Sequence, residues 1–200
     1  MRKIKKIFNG FIPVVIDCEM SGVNPLEHAL LEIGAFHLDL DHDELVIGNS
    51  FHQHVIGFEG AKYNDEAMKI NGIIADHPLR FAIDEKKMMQ KFRDFLRLKI
   101  KEVGARRAIL VGHNIHFDLN FLLECQKRTG IELPIHHFCV IDTASLGLLM
   151  FQETVLAKIL KKAKIEFDHA QAHGALYDAQ KTAEIVCYIF NRSFENAEKD

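Results

Sequence analysis

The stretch VVIDCEMSG, residues 14–22, combines a strand signal with a pair of acids. Three β-branched apolar residues lead directly into Asp17 and Glu19, which predicts a buried strand that ends in carboxylates. Successive side chains of a strand point to opposite faces, so Asp17 and Glu19 share one face and Cys18 points to the other, into the core. The two carboxylates repel each other, and no lysine or arginine is near them in sequence. A hard cation with oxygen ligands is therefore expected to neutralise them.

The segments around this strand predict an α/β fold. Three strands come first and have short connections, which makes them antiparallel; they cover residues 11–17, 29–40 and 45–55. Later strands alternate with helices, and they lie at 106–114 and 137–143. The predicted helices cover 64–70, 84–103, 118–129, 154–163 and 176–192, and Asp142-Thr143 caps one more. This order is typical of a mixed sheet, an antiparallel meander followed by parallel strands, flanked by helices.

Length, charge and cysteine spacing limit which kinds of fold and binding site we expect. We expect one domain over residues 1–200, with a basic segment at 1–8 and a polar tail at 195–200. The net charge of −3 indicates that any nucleic acid is held by a local basic patch rather than by overall charge. Four scattered cysteines without a CxxC pair argue against a disulfide framework or a zinc knuckle. With no apolar run of membrane length and no signal peptide, we expect a cytoplasmic protein without a membrane partner.

Two further acids lie at the ends of predicted elements. Asp118 follows a buried strand at the start of a helix, and Asp178 lies in the first turns of the last helix, five residues after His173. Each of these acids could simply favour the positive end of a helix dipole. If they instead converge with Asp17 and Glu19, the four oxygen ligands suit Mg²⁺.

Three segments carry a resemblance to a known family. DCE (17–19), HNIHFD (113–118) and HGALYD (173–178) resemble, in order and spacing, the motifs of the DEDDh exonucleases, which are named for four acids and a histidine. Longer segments, of which AQAHGALYDAQKTA (170–183) is the most specific, are similar to the ribonuclease T family from about residue 11 to residue 191. The resemblance implies a ribonuclease H-like fold.

The same resemblance implies an activity. It implies 3′–5′ exoribonuclease action by two Mg²⁺ ions, for which Mn²⁺ can substitute, with release of 5′-mononucleotides. Asp17, Glu19, Asp118 and Asp178 would hold the ions, and His173 would take the proton from the attacking water. A histidine at this place could otherwise be a polar residue at a helix N-terminus. Because Gly174 follows His173, we expect the histidine on a loop or a frayed helix start.

The family also implies a seat for the 3′-terminal bases. Phe117 and Phe138 match two of its four stacking phenylalanines, whereas Val23 and Ile70 stand at the positions of the other two. Stacking on an aromatic ring is worth roughly 1–3 kcal/mol per base, so the two replacements should weaken the hold on these bases. The alternative for Phe117 and Phe138 is packing in the core.

Three polar residues match family contacts to RNA. Glu66 matches a residue that hydrogen-bonds the terminal base, although a first-turn glutamate can also simply suit the helix dipole. Lys101 and Arg107 match a basic patch that, in the family's homodimer, serves the active site of the other subunit. The lysines of segment 1–8 could add to that patch. The alternative for Lys101 is a solvated cation at a helix C-terminus.

Three functions compete at this stage. The first is an exoribonuclease that trims single-stranded 3′ ends of structured RNAs, in tRNA turnover and maturation and in rRNA precursors. The second is a DEDDh exonuclease for single-stranded DNA, in repair or proofreading; because the chain ends soon after its last predicted helix, a polymerase-binding tail is not expected. The third is a binding module that has kept the fold without activity, against which the complete set of four acids and a histidine argues.

Overall fold

The strand that carries Asp17 and Glu19 lies at the centre of a five-stranded sheet in the computed structural model, which describes residues 4–197, the last four by their backbone only. The sheet order is β3-β2-β1-β4-β5, with β1 antiparallel to β2 and parallel to β4. The strands are β1 (Ile12–Met20), β2 (Leu30–Asp41), β3 (Glu44–His54), β4 (Ala108–Gly112) and β5 (Ile135–Asp142). The predicted meander followed by parallel strands is confirmed.

Seven α-helices and one 3₁₀ turn accompany the sheet among the described residues. The helices are α1 (Ile4–Ile7), α2 (Asp65–Asn71), α3 (Glu85–Val103), α4 (His116–Thr129), α5 (Thr143–Phe151), α6 (Leu156–Ala163) and α7 (Ala175–Ala197), and the 3₁₀ turn is Pro78–Arg80. No single described helix is long and apolar enough to cross a membrane, whereas α5 and α6 meet that test only together, as a pair bent by 45°.

Two apolar layers lie on opposite sides of β1. On one side, Val14, Ile16 and Cys18 pack with Phe92 of α3 and Leu122 of α4. On the other side, Val15 packs with residues of α7, including Ala183 and Val186. The alternation along β1 therefore sends Cys18 into the core, as predicted, and turns Asp17 and Glu19 towards the α7 side.

Several predicted boundaries were wrong. Helix α4 begins at His116 instead of residue 118, and α6 begins at Leu156 instead of residue 154. Helix α7 continues to Ala197 instead of ending at residue 192, because no glycine or proline interrupts the polar residues that follow. Residues 195–197 of the predicted polar tail are therefore helical, whereas residues 198–200 lie outside the described residues.

No helix was predicted in the basic segment 1–8. Residues 4–7 form the short helix α1, in which Ile4 is buried, and residues 1–3 lie outside the described residues. The Lys5 ammonium donates to the carbonyl of Gly104 at 3.1 Å, which ties this segment to the C-terminus of α3. All four cysteines are free thiols, as their scattered positions predicted.

Candidate active site

The end of β1 presents two carboxylates on the side of the sheet that α7 covers. Strand β1 continues to Met20, so Asp17 and Glu19 both belong to it and share a face. Their antiparallel partners on β2 are Gly34 and Glu32, respectively. The alternation of side chains along β1 is therefore sufficient to place Asp17 and Glu19 on one face, without any information from distant segments.

Gly34 allows the start of α7 to lie directly on the sheet. A β-carbon at this position would collide with the backbone of Ala175 and Leu176, so only glycine permits so close an approach. Because Gly34 is the partner of Asp17, this contact brings the N-terminal end of α7 beside the β1 carboxylates. This packing role of Gly34 could not be predicted from its own segment, because the partner helix is far away in sequence.

His173 and Asp178 reach the site from this end of α7. The His173 backbone N–H donates to a carboxylate oxygen of Asp178 at 2.9 Å, and His173 has a φ of 67°, in the left-handed region. The ligand atoms of Glu19, His173 and Asp178 all lie within 4.8 Å of one another. His173 is exposed on the loop before α7, as expected, and its ring is therefore open to solvent and substrate.

Asp118 approaches from the opposite side, on α4. It is buried, and the Cys18 thiol of β1 hydrogen-bonds it. The start of α4 is held by Asp142, whose carboxylate accepts from the backbone N–H groups of Asn114 and Ile115 and also caps α5 at Ala144. The cap at Asp142 was predicted, but its hold on the loop before α4 was missed, because the two segments are far apart in sequence.

Burial raises the pKa of all four acids, and like charges add to the shift of Asp17 and Glu19. Burial, and then the charges of Asp118, Glu19 and Asp178, raise the pKa of Asp17 well above its ordinary value. Burial and the charge of Asp178 raise the pKa of Glu19 to about 8. Burial raises the pKa of Asp118 to about 7, and it also raises the pKa of Asp178. The four carboxylates therefore lie close enough to repel one another.

No lysine or arginine in the described part of the chain compensates this charge. Among the ion pairs formed by residues 4–193, none joins a lysine or arginine to Asp17, Glu19, Asp118 or Asp178. One buried carboxylate oxygen of Asp178, Oδ1, has no hydrogen-bond partner. An oxygen-rich donor set of this kind with an unsatisfied buried oxygen fits a divalent cation such as Mg²⁺.

Comparison with known proteins decides the family. The RNase_T exonuclease model matches residues 14–186. Ribonuclease T of Histophilus somni is 43% identical over 190 residues, covering 94% of this chain and 87% of the relative. Ribonuclease T of Vibrio cholerae is 43% identical over 192 residues, covering 94% and 86%. The chain belongs to the ribonuclease T family. The predicted enzyme class, a 3′–5′ exoribonuclease, is confirmed by this membership.

Solved structures support the fold of this ribonuclease T family member. The nuclease domain of 3′hExo, a DEDDh family member bound to rAMP, superposes with a TM-score of 0.70 at 22% identity, covering 90% of this chain and 91% of that domain. E. coli exonuclease I in complex with a dT13 oligonucleotide superposes with a TM-score of 0.72 at 15% identity. This chain spans 43% of the length of that protein. The predicted ribonuclease H-like fold is thereby confirmed.

The four residues predicted to seat the 3′-terminal bases are all exposed here. The exposed fractions are 74% for Val23, 62% for Ile70, 44% for Phe117 and 90% for Phe138. Packing in the core, the alternative for the two phenylalanines, is therefore wrong.

Helix α2, which carries Glu66 and Ile70, is tied to the end of β1. The Asn71 amide donates to the carbonyl of Met20 at 3.0 Å, and the Asn64 N–H donates to the carbonyl of Ser21 at 2.7 Å. Asn64 also caps α2, as predicted. The predicted base contact Glu66 thus lies on a helix anchored beside the β1 carboxylates, with its side chain exposed.

The predicted basic residues lie away from the acids. Lys101 is exposed in the last turn of α3, and Arg107 lies just before β4. Arg107 lines an open groove of about 920 Å³ together with other basic side chains, and Lys101 is not part of its lining. The other basic residues of the groove are Arg97, Arg106 and Lys127. The groove adjoins Asn24 and Pro25, which follow the stacking position Val23.

Proposed function

We propose that this enzyme removes nucleotides one at a time from single-stranded 3′ ends of structured RNAs, such as tRNA and rRNA precursors, and releases 5′-mononucleotides. The observation that carries the proposal is the convergence of four acids without a protein cation, next to an exposed histidine. A site of this composition is suited to phosphodiester hydrolysis, in which negative charge develops on oxygen and must be stabilised.

We infer that Asp17, Glu19, Asp118 and Asp178 hold two divalent ions, Mg²⁺ by preference and Mn²⁺ as a substitute. Such ions supply a Lewis acid that stabilises both the attacking and the leaving oxygen of the phosphodiester. The raised pKa values of Glu19 and Asp118 describe the carboxyls without a cation, since their main causes are burial and like charge. Loading the site requires these carboxyls to lose their protons.

His173 is the general base in this proposal. Its backbone is fixed by the hydrogen bond to Asp178, while its ring remains exposed and close to Glu19 and Asp178. Histidine is the side chain that most often acts as a general base. The ring would accept the proton of the attacking water, and the left-handed backbone of His173 directs it towards the acids.

The exposed apolar residues form the seat for the 3′ end in this proposal. Phe117 directly precedes Asp118, so a base stacked on its ring would place its phosphate near the acids. Val23 and Ile70 offer apolar contact but no aromatic face, so we expect a weaker hold on the terminal bases than four rings would provide. Glu66, on the helix that carries Ile70, would hydrogen-bond a base edge.

We also propose that the protein acts as a homodimer. By analogy with the family, Lys101 and Arg107 of one subunit would contact the phosphates of an RNA bound at the acids of the other. Arg107 lines the basic groove described above, which supports a role in phosphate binding. Contacts of this kind position a strand without reading its sequence.

The test is digestion of a 5′-labelled hairpin with a short 3′ overhang, with Mg²⁺ and with EDTA. Matched RNA and DNA overhangs ending in each of the four bases are compared. We expect stepwise shortening only with Mg²⁺, an arrest near the duplex, and faster digestion of RNA. The matched control is Asp94→Asn, which removes an exposed acid of α3, set against Asp17→Asn.

The same assay decides between the competing functions. Faster digestion of the DNA overhang would favour a DNA exonuclease, the class suggested by the likeness in fold to exonuclease I in complex with oligonucleotides. Retained digestion in Asp17→Asn would refute the proposed role of the acids. The ranking of terminal bases measures what Val23 and Ile70 contribute.

A further inference from the structure

A second set of metal-ligating side chains lies on the same face of the sheet, one strand further from the acids. Glu32 of β2 is paired with His54 of β3 across the antiparallel ladder, and Gly34 is paired with His52. Because residues two apart on a strand share a face, His52 and His54 lie beside Glu32 on the side that also carries Glu19. None of these three residues has a role in the proposed exonuclease mechanism.

The three side chains are already close together. The His52 Nε2 atom lies 2.7 Å from one carboxylate oxygen of Glu32, and the His54 Nδ1 atom lies 3.8 Å from the other. One ligand atom from each residue can be chosen so that all three lie within 4.8 Å of one another. Donor atoms around a tetrahedral Zn²⁺ lie about 3.3 Å apart, given metal–ligand bonds of about 2.0–2.1 Å. Side-chain adjustments of an ångström or less would therefore complete the arrangement.

Burial and access also suit an ion. Glu32 is only 7% exposed, whereas the side chain of His52 is 35% exposed, which leaves an approach from solvent. The buried Nδ1 atom of His54 has no hydrogen-bond partner. Burial lowers the pKa of His54, which favours the neutral imidazole that a metal ligand must be.

The nearest arginine does not occupy the carboxylate. Burial lowers the pKa of Arg80 and the nearby charge of Glu32 opposes that shift, but the hydrogen bonds of the Arg80 guanidinium go to the backbone carbonyls of Ala75, Leu31 and Val55. Glu32 therefore keeps its oxygens for the two histidines. A fixed cation in the neighbourhood reduces the affinity for a metal ion without blocking its position.

We propose that Glu32, His52 and His54 form a binding site for a borderline-soft divalent transition metal, with Zn²⁺ as the best match. Two imidazole nitrogens and one carboxylate are a common protein ligand set for zinc, with the fourth position left to water. The donor set differs from the all-carboxylate set of Asp17, Glu19, Asp118 and Asp178, which suits the harder Mg²⁺. This inference does not depend on the proposed substrate, because its readout is metal uptake.

The competing explanation is a metal-free hydrogen bond. In that case His52 and Glu32 simply hold β2 and β3 together. The two explanations differ in what happens when Zn²⁺ is added and one histidine is removed.

The test is a Zn²⁺ titration by calorimetry in a protein whose other zinc ligands are weakened. The background carries Glu19→Gln and Asp178→Asn, which remove two acids of the cluster and their grouping with His173, and Cys139→Ser, which removes the one exposed cysteine. His52→Gln and His54→Gln are then added separately. His42→Gln is the matched control, because His42 also lies beside an acid, Asp41, but is fully in solvent.

We expect one Zn²⁺ per chain in the background and in His42→Gln, and affinity reduced at least about tenfold in His52→Gln and in His54→Gln. Co²⁺ in place of Zn²⁺ should give the visible absorption of a tetrahedral nitrogen-ligated ion, and each of the two histidine substitutions should abolish it. Zn²⁺ uptake that is unchanged in both histidine variants would overturn the proposal, as would no uptake by the background protein. Circular dichroism without metal checks that each variant is folded before titration.

Discussion

Buried carboxylates of this molecule differ in whether an arginine or lysine pairs with them. Glu85, at the start of α3, is buried and receives two hydrogen bonds from Arg128 of α4, at 2.7 and 3.0 Å, and a third from the Cys125 thiol. The guanidinium of Arg128 also donates to the carbonyl of Pro25 and lies over the ring of Phe58. The charge of Glu85 is therefore paired within the protein, and the Glu85–Arg128 ion pair joins α3 to α4.

The acids at the end of β1 have no such partner. Asp17, Glu19, Asp118 and Asp178 lie close together; burial raises the pKa of all four, and the charges of neighbouring acids raise those of Asp17 and Glu19 further. Burying a carboxylate without a counterion is costly, and breaking an existing buried pair costs several kcal/mol. Burial of unpaired carboxylates at the end of β1 therefore lowers the free energy of unfolding unless an external cation binds there. At Glu85 the charge is paired within the protein and helps to join α3 and α4.

The largest effect is expected from Asp118→Asn, which removes one ligand from the proposed metal site. Activity on a 3′ overhang should fall by roughly 10³-fold or more, because a catalytic metal supplies several kcal/mol of transition-state stabilisation. In EDTA at pH 8 the same variant should be no less stable than the wild type, since it removes one of four like charges. Single-turnover digestion and urea unfolding measure the two quantities, with Asp94→Asn as the control. Full activity of Asp118→Asn would contradict the role of Asp118 as a metal ligand.

Arg128→Met should show the opposite pattern. Leaving Glu85 buried without its partner should lower the free energy of unfolding by about 3 kcal/mol. The matched control is Arg97→Met, which removes an exposed arginine of α3 and should change stability by less than about 0.5 kcal/mol. Adding Glu85→Gln to Arg128→Met should recover part of the loss. Urea unfolding of the four proteins measures this, and equal stability of the two arginine variants would contradict it.

The stability of the metal-free protein should depend on pH because the acids at the end of β1 have raised pKa values. Glu19 has a pKa of about 8 when folded against an ordinary value of 4.5, and Asp118 has about 7 against 3.8. The folded state therefore binds more protons than the unfolded state between about pH 4 and pH 8, so the free energy of unfolding should fall as pH rises through this window. Taken at full value, the two shifts correspond to a loss of about 6 kcal/mol between pH 5 and pH 8 in EDTA.

Saturating Mg²⁺ should remove most of that loss, because the ions bind the deprotonated carboxylates. Urea unfolding at the two pH values, with EDTA and with Mg²⁺, measures both slopes. In the Asp17→Asn/Asp118→Asn double variant the slope in EDTA should be smaller than in the wild type. A metal-free protein that becomes more stable between pH 5 and pH 8 would show that the acids are not mutually repulsive.

The smallest effect is expected at the proposed seat for the terminal bases. Phe138→Ala should weaken binding of a 3′ overhang by about tenfold, the equivalent of one lost stacking contact. Stability should not change, because the ring is 90% exposed. Leu149→Ala, at a side chain of α5 that is 84% exposed, is the control. Fluorescence anisotropy with a catalytically inactive background measures the affinity, and equal binding by both variants would remove Phe138 from the seat.

Prediction from sequence succeeded where the residues that decide a feature lie in one continuous segment. The alternation in 14–20 placed Asp17, Cys18 and Glu19 on their correct faces, because strand geometry alone decides which residues share a face. Helix α3 was located to within one residue, since Asp84 caps its start and Gly104 ends it. The five-residue spacing from His173 to Asp178 also became a direct contact.

Prediction failed where two distant segments act together. The start of α4 depends on Asp142, which lies on another strand and accepts from the backbone of residues 114 and 115. The close approach of α7 depends on Gly34, which looks like an ordinary strand residue until the helix is placed upon it. Glu32 drew no attention in the sequence, because its two histidine neighbours lie twenty or more residues further along the chain.

The most direct test of the account is a calorimetric titration of the wild-type protein and of Asp118→Asn with Mg²⁺ at pH 8, each prepared free of metal. The account predicts that the wild type binds two ions per chain with release of protons, and that Asp118→Asn binds fewer ions and at least about tenfold more weakly. Equal uptake by the two proteins, or no uptake by the wild type, would contradict the claim that the four acids are left without a counterion in order to hold metal.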